Sequence, residues 1–349
     1  MKSNKQYKVL ELFAGAGGLA LGLEMSGFES LGLVELDKHA GSTLRLNRPN
    51  WNVFNMDIRD FNLDLNNYIK MDSEIDLISG GFPCQPFSYA GMRLGLQDTR
   101  GTLFFEFANI VQKLQPKMLL AENVRGLKTH NDGKTLETIL KSFYDIGYNV
   151  QYKILNANNY DVAQKRERMV IIGIRKDLPN TYKYPEPSTN KLVLQDVLKD
   201  VPLSEGAKYS ENKRKILELI PPGGCWRDLP ENIAKEYLGG SYFLCGGKTG
   251  MARRIAWHEP SLTLTCSPAQ KQTERCHPDE IRPFTVREYA RIQSFPDTWE
   301  FCGSMLTKYK QIGNAVPVNM AKHIGLSIIN CLNGKIHASK QQIQLELYF

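Results

Sequence analysis

Val9-Leu-Glu-Leu-Phe-Ala-Gly-Ala-Gly-Gly18 decides the fold. A short apolar run over 9–13 breaks onto glycines, which let backbone N–H groups approach a ligand at the start of a helix. Further runs of strand length follow at 31–35, 53–56, 75–79, 118–121, 150–155 and 169–174. Runs of this kind bounded by turns indicate strands buried on both faces, as in a parallel sheet. Between two of them Leu103, Phe107, Ile110, Val111 and Leu114 recur at helical spacing. The alternation predicts a doubly wound, Rossmann-like α/β domain with ligands at the carboxyl ends of the strands.

The pattern changes near Tyr184. About a hundred residues rich in Pro, Gly and aromatics follow, including Pro221-Pro-Gly-Gly-Cys-Trp226. We expect a second, smaller lobe of irregular or β structure there. Helical spacing returns in Thr285-Val-Arg-Glu-Tyr-Ala-Arg-Ile-Gln293, and a last amphipathic helix begins near Val316 with Met320, Ile324, Ile328 and Leu332 on one face. The expected division is 1–184 for the first domain, 185–284 for the second, 285–304 as a hinge, and 305–349 as a segment returning to the first.

Composition narrows the class. The chain has 349 residues, 42% hydrophobic and 23% charged, near globular averages. A net charge of +7 is compatible with a polyanionic partner and does not require one. Seven cysteines at irregular spacings do not form a disulfide framework. The N-terminal residues hold no apolar stretch of signal-peptide length, and no apolar run approaches the roughly 20 residues of a bilayer span. The expectation is a reduced, cytoplasmic, soluble protein.

Taken alone, each motif leaves alternatives open. Gly15-x-Gly17-x-x-Ala20, with Glu35 twenty residues past Gly15, also satisfies the dinucleotide fingerprint, so nicotinamide or flavin binding and a turn without ligand both stand. Gly80-Gly-Phe-Pro-Cys-Gln-Pro-Phe-Ser88 puts Cys84 just past a strand end. A lone cysteine is usually a small buried hydrophobe, but the flanking prolines and glycines favour function. Glu122-Asn-Val124 ends another apolar strand with a carboxylate, costly there unless paired or used. Thiol and carboxyl in one cleft suit nucleophilic addition with acid assistance. In Gln164-Lys-Arg-Glu-Arg168, the two arginines form either a solvated turn or a grip on phosphate or a base carbonyl.

In this order, and with Gln311-Ile-Gly-Asn-Ala-Val316 after them, the motifs are specific. The chain resembles the bacterial DNA (cytosine-5) methyltransferases of restriction–modification systems, closely over 8–183 and 282–330. The resemblance implies S-adenosylmethionine as methyl donor, double-stranded DNA as partner and no metal. Phe13, Ala14, Gly15, Gly17, Gly18 and Leu19 would border the cofactor, with Phe13 near its adenine. Glu35 would take the ribose hydroxyls beside Leu36, and Asp57 with Ile58 the adenine. Asn314 and Ala315 would complete that pocket. Cys84 would add to carbon 6 of a flipped cytosine while Glu122 holds N3, Arg168 holds O2 and Arg166 supports the neighbouring phosphate. Gln85, Ser88 and Arg93 belong to a stretch resembling the family's mobile loop.

Base readout would come from 185–281, where Glu186 to Arg282 carries 14 Lys and Arg against 13 Asp and Glu, so charge alone does not mark it. Arg227, Lys248, Arg253, Arg254, Lys271 and Gln272 are candidates for DNA contact, and Thr263 and Thr265 for the flipped nucleotide's backbone. Cys266, Cys276 and His277 are spaced poorly for zinc. The enzyme is expected to act as a monomer, with a cognate endonuclease encoded nearby. Alternatives are a tRNA cytosine-5 methyltransferase, against which the long recognition segment argues; a non-catalytic DNA-binding protein; and a dinucleotide oxidoreductase.

Overall fold

The computed structural model describes residues 6–70, 74–83, 103–179, 182–243 and 250–334. Its core is a seven-stranded sheet in the order β3-β2-β1-β4-β5-β8-β6. The strands are β1 (Tyr7–Leu12), β2 (Phe28–Val34), β3 (Val53–Phe54), β4 (Leu77–Gly80), β5 (Met118–Val124), β6 (Tyr148–Asn156) and β8 (Glu167–Arg175). All seven coincide with the apolar runs read from sequence. β4 runs between β1 and β5 and is buried along its whole length, which is why its sequence shows no alternation of apolar and polar residues.

One expectation needs correction. β1 to β5 pair in parallel, but β8 lies antiparallel to β5. The parallel reading presumed a crossover helix before each strand. Only residues 157–166 separate β6 from β8, too few for such a crossover.

The chain packs as two compact units. The first comprises 1–155, 167–186 and 321–349, and the second 156–166 and 187–320. In the first, helix Leu103–Leu114 buries Phe104, Phe107, Ile110 and Val111, the face its spacing predicts. Fully burying side chains of this size stabilises by roughly 1.5–3 kcal/mol each. Asp37 caps helix Lys38–Asn47, accepting from the His39 and Ala40 amides. The helix Gly18–Ser26 starts from Gly17 at φ 87° and stops at Gly27 at φ 110°, left-handed values that only glycine adopts at low cost.

Helix Val318–Leu332 runs from the second unit into the first, where Gly325 packs directly on Ser26. In the second unit, residues 285–320 pack with 187–284. Its regular structure is a two-stranded sheet of β7 (Gln164–Lys165) and β9 (Ser261–Leu262) plus short helices. Two of these, Glu211–Glu218 and Glu231–Leu238, were not anticipated. The helix expected at 285 is Val286–Ile292, opened by a reciprocal cap between Thr285 and Glu288. Among the described residues, no helix is long and apolar enough to cross a membrane.

Candidate active site

Three adjacent parallel strands end side by side in the first unit, since Leu12 pairs with Gly80 and Gly80 with Ala121. Neighbouring strands lie about 4.8 Å apart, so the groups following them share a strip about 10 Å wide. A Cβ on Gly80 would collide with the Leu12 carbonyl, so only glycine fits there.

After β1 the backbone turns through positive φ at Phe13 (60°), Gly15 (55°) and Gly17 (87°). For a bulky residue such as Phe13 this is a strained conformation, of the kind that clusters at ligand sites. The Glu35 carboxylate braces the turn, accepting from the Gly15 amide at 2.6 Å and the Asp37 amide at 2.7 Å. Burial raises Glu35 above the ordinary carboxylate range, opposed by these amide bonds. In β1 itself, burial pushes the Glu11 carboxyl well above the ordinary carboxylate range. Ala14, Gly18, Leu19 and Ile58 are buried, while Leu36 points outward. Asp57 caps a helix through the Arg59 amide and pairs with the Arg59 guanidinium, which lowers its pKa.

These features fit S-adenosylmethionine. Successive amides around a glycine turn cradle polar ligand atoms, and Glu35 retains lone pairs for two hydroxyls. Glu35→Ala is expected to weaken S-adenosylmethionine binding at least about tenfold through loss of these acceptors. In the wild type, affinity should fall with acidification, because protonation removes the acceptor. The raised pKa starts that fall above the usual glutamate value of about 4.3. Calorimetric titration from pH 7 to 5 checks both; affinity flat over that range would take Glu35 out of the contact.

At the next strand ends sits an ion pair. Residues two apart on a strand share a face, and the register Glu122↔Val170, Val124↔Arg168 sets Glu122 and Arg168 on a diagonal of one face. Arg168 Nε reaches Glu122 Oε1 at 2.9 Å, with both side chains largely buried. A Cβ on Gly81 would stand 3.0 Å from Glu122 Oε2, so the turn leading toward Cys84 runs against this carboxylate. Asn123 fastens that turn, donating to the Phe82 carbonyl at 2.9 Å. Sequence reading missed this role, although the doubled glycine before Phe-Pro-Cys marked a close approach. Cys84, Gln85, Ser88, Arg93 and Lys248 lie outside the described residues.

Arg166 is buried in the second unit, where it donates to the Leu264 carbonyl at 3.1 Å and the Gly313 carbonyl at 2.8 Å. Thr263 Oγ1 donates to the Lys165 carbonyl, and Thr265 Oγ1 to that of Ser267. Asn314 closes helix Met305–Asn314, accepts from the exposed Cys266 thiol, and precedes Ala315 at the C-cap. Of the base-reading candidates, Arg227 is exposed over the Trp226 ring, Lys271 is exposed over Tyr237, and Gln272 is exposed. Arg253 is spent on Glu259 and the Gly224 carbonyl, and Arg254 on the carbonyls of Ile220 and Pro278. The Cys276 thiol meets the Glu280 carbonyl and His277 packs between Trp257 and Phe284, each apart from Cys266.

Strand order, glycine turn and ion pair define an α/β methyltransferase, and the family match is direct. Residues 7–330 match the model for C-5 cytosine-specific DNA methylases, so the chain belongs to that family and is a DNA (cytosine-5) methyltransferase. It is 61% identical over 337 residues to Type II methyltransferase M.Sau96I of Staphylococcus aureus, covering 95% of this chain and 78% of that one. It is 58% identical over 341 residues to Type II methyltransferase M.Eco47II of Escherichia coli, covering 95% and 81%. Among solved structures it resembles a DNA modification methyltransferase encoded within an E. coli prophage, at TM-score 0.69 and 25% identity over 94% of this chain and all of that one. The S. pombe Dnmt2 methyltransferase shares the fold, at TM-score 0.59 and 20% identity, covering 94% of this chain and 100% of that one. These relatives place the chain among restriction–modification methyltransferases.

Proposed function

We propose that the enzyme methylates carbon 5 of a cytosine flipped out of a short specific duplex DNA sequence, through a transient bond from Cys84 to carbon 6. Bound S-adenosylmethionine supplies an electrophilic methyl group on a sulfonium. The Cys84 thiolate adds to carbon 6, and the displaced electron pair makes carbon 5 nucleophilic. Glu122 holds N3 and, once it has taken up a proton from solvent, passes it to the ring, which spares the ring a localised anion. Arg168 keeps Glu122 oriented and presents donors toward O2. Carbon 5 takes the methyl group as its bond to the sulfonium breaks, releasing S-adenosylhomocysteine. Transfer of the carbon 5 proton to a water then returns electrons to the ring and expels the thiolate. A cytosine stacked in a duplex cannot reach such groups, so the base must leave the helix.

The observation that carries the reading is the buried Glu122–Arg168 pair, lying against Gly81 in the turn that leads to Cys84. A buried ion pair is a poor way to gain stability, so its place at a strand end argues for use. We assign the cofactor to Phe13, Gly15, Gly17, Glu35 and Asp57, and carry Asn314 and Ala315 over from the family motif. DNA contact is assigned to Arg227, Lys271 and Gln272, with Thr263 and Thr265 toward the nucleotide backbone. We further propose that the enzyme works as a cytoplasmic monomer and protects host DNA from a cognate endonuclease, as the Type II relatives suggest.

Bisulfite sequencing of DNA from expressing cells, with labelled-methyl assays on duplex DNA and on tRNA, tests the proposal. Cytosine methylation at one recurring short sequence and an inactive tRNA arm are expected. Unmodified DNA with labelled tRNA would favour the RNA reading instead.

A further inference from the structure

Arg166 is 1% exposed, among the largest fully buried side chains of the described residues. Its two terminal nitrogens donate to the carbonyls of Leu264 and Gly313, which belong to segments far apart in sequence. Gln164, two residues earlier, works on the same segments. Its Oε1 accepts from the Leu264 amide at 3.0 Å, and its Nε2 donates to Gln293 Oε1 at 2.9 Å. Gln293 in turn donates to the Ile312 carbonyl at 2.8 Å. Gly313 leaves no space for a side chain, since a Cβ there would stand 2.5 Å from the Thr265 carbonyl oxygen. Gln164, Arg166 and Gln293 therefore knit the backbone at Leu264, Ile312 and Gly313 into one buried polar cluster.

We propose that Arg166 is a positioning residue that clasps the Thr263–Thr265 segment in its working shape, and that it does not bind a DNA phosphate. This rests on the methyl-transfer reading above, in which that segment supports the flipped nucleotide. A guanidinium 1% exposed and bonded to two carbonyls offers no open face to a phosphate. Charge-assisted bonds are about twice as strong as neutral ones, and the planar fork of arginine spans two acceptors where the ammonium of lysine acts as a point charge. Gln164 reaches the same segment with no charge at all, so the two residues share a structural task that a phosphate contact would not explain.

The salt dependence of DNA binding separates these roles. Losing one phosphate contact lowers the slope of log affinity against log salt by about one, whereas misplacing a segment leaves the slope intact. The probe is a duplex carrying the methylated sequence found by bisulfite sequencing, with 5-fluorocytosine at the target. The Arg166→Met, Arg166→Lys and Gln164→Ala variants, each checked for its melting temperature, should trap this duplex covalently about ten- to a hundredfold more slowly at saturating DNA. Their salt slopes should match the wild type. A slope reduced by one in Arg166→Met, restored together with trapping in Arg166→Lys, overturns the proposal. So does normal trapping by Gln164→Ala. Should Arg166→Met fail to fold, the other two variants decide. A wild-type enzyme that traps nothing would instead sink the methyl-transfer reading itself.

Discussion

Exchanging Cys84 for serine is expected to lower methyl transfer by about 10⁴-fold or more while S-adenosylmethionine still binds with nearly wild-type affinity. Carbon 5 of cytosine is a poor nucleophile until something adds to carbon 6. A thiol ionises near pH 8.5 and near neutrality where its surroundings assist, whereas a serine hydroxyl does so only far above that range. Serine therefore keeps the shape and loses the reacting anion. Most of the groups assigned to the cofactor follow β1, β2 and β3, including the Gly15–Glu35 brace, and the exchange at residue 84 should leave them in place. Labelled-methyl incorporation and calorimetry on one preparation check both halves. Retained turnover would move the nucleophile elsewhere, and joint loss of turnover and cofactor binding would indicate a collapsed first unit.

Glu122→Gln should lower kcat by roughly 10²- to 10⁴-fold, the usual worth of a positioned acid, with little change in KM for DNA. Glutamine is close in shape but has no proton to give N3. It also leaves the buried Arg168 charge facing a neutral amide in place of the carboxylate 2.9 Å away. Some stability should go with it. Glu122→Ala removes the partner altogether and should cost roughly 3–5 kcal/mol. Steady-state kinetics beside denaturant unfolding separates these effects. An unchanged kcat in a folded Glu122→Gln enzyme would assign the proton to another group.

The sheet was legible because its central strands are buried on both faces, and a run such as Leu119-Leu-Ala121 has few other uses. The direction of β8 was not, because an apolar run carries no sign of which way it lies. Glu122 and Arg168 each stood out as a polar group at the end of an apolar strand. Their pairing depends on register, which two separated motifs do not state. Sequence says least about which arginines find partners within the fold. Arg253 and Arg254 read as DNA-binding cations, yet their partners Glu259, Ile220 and Pro278 become neighbours only on folding. The two carbonyls that Arg166 meets were hidden for the same reason, lying about a hundred residues and more away along the chain.

The most direct measurement of the central claim is mass spectrometry of the enzyme incubated with S-adenosylmethionine and a target duplex bearing 5-fluorocytosine. Fluorine cannot depart as a proton does, so the chain should remain joined to DNA under denaturing conditions, with the added mass on the peptide containing Cys84. Methylated fluorocytosine recovered free of protein, or a link mapped to any other residue, would contradict the account.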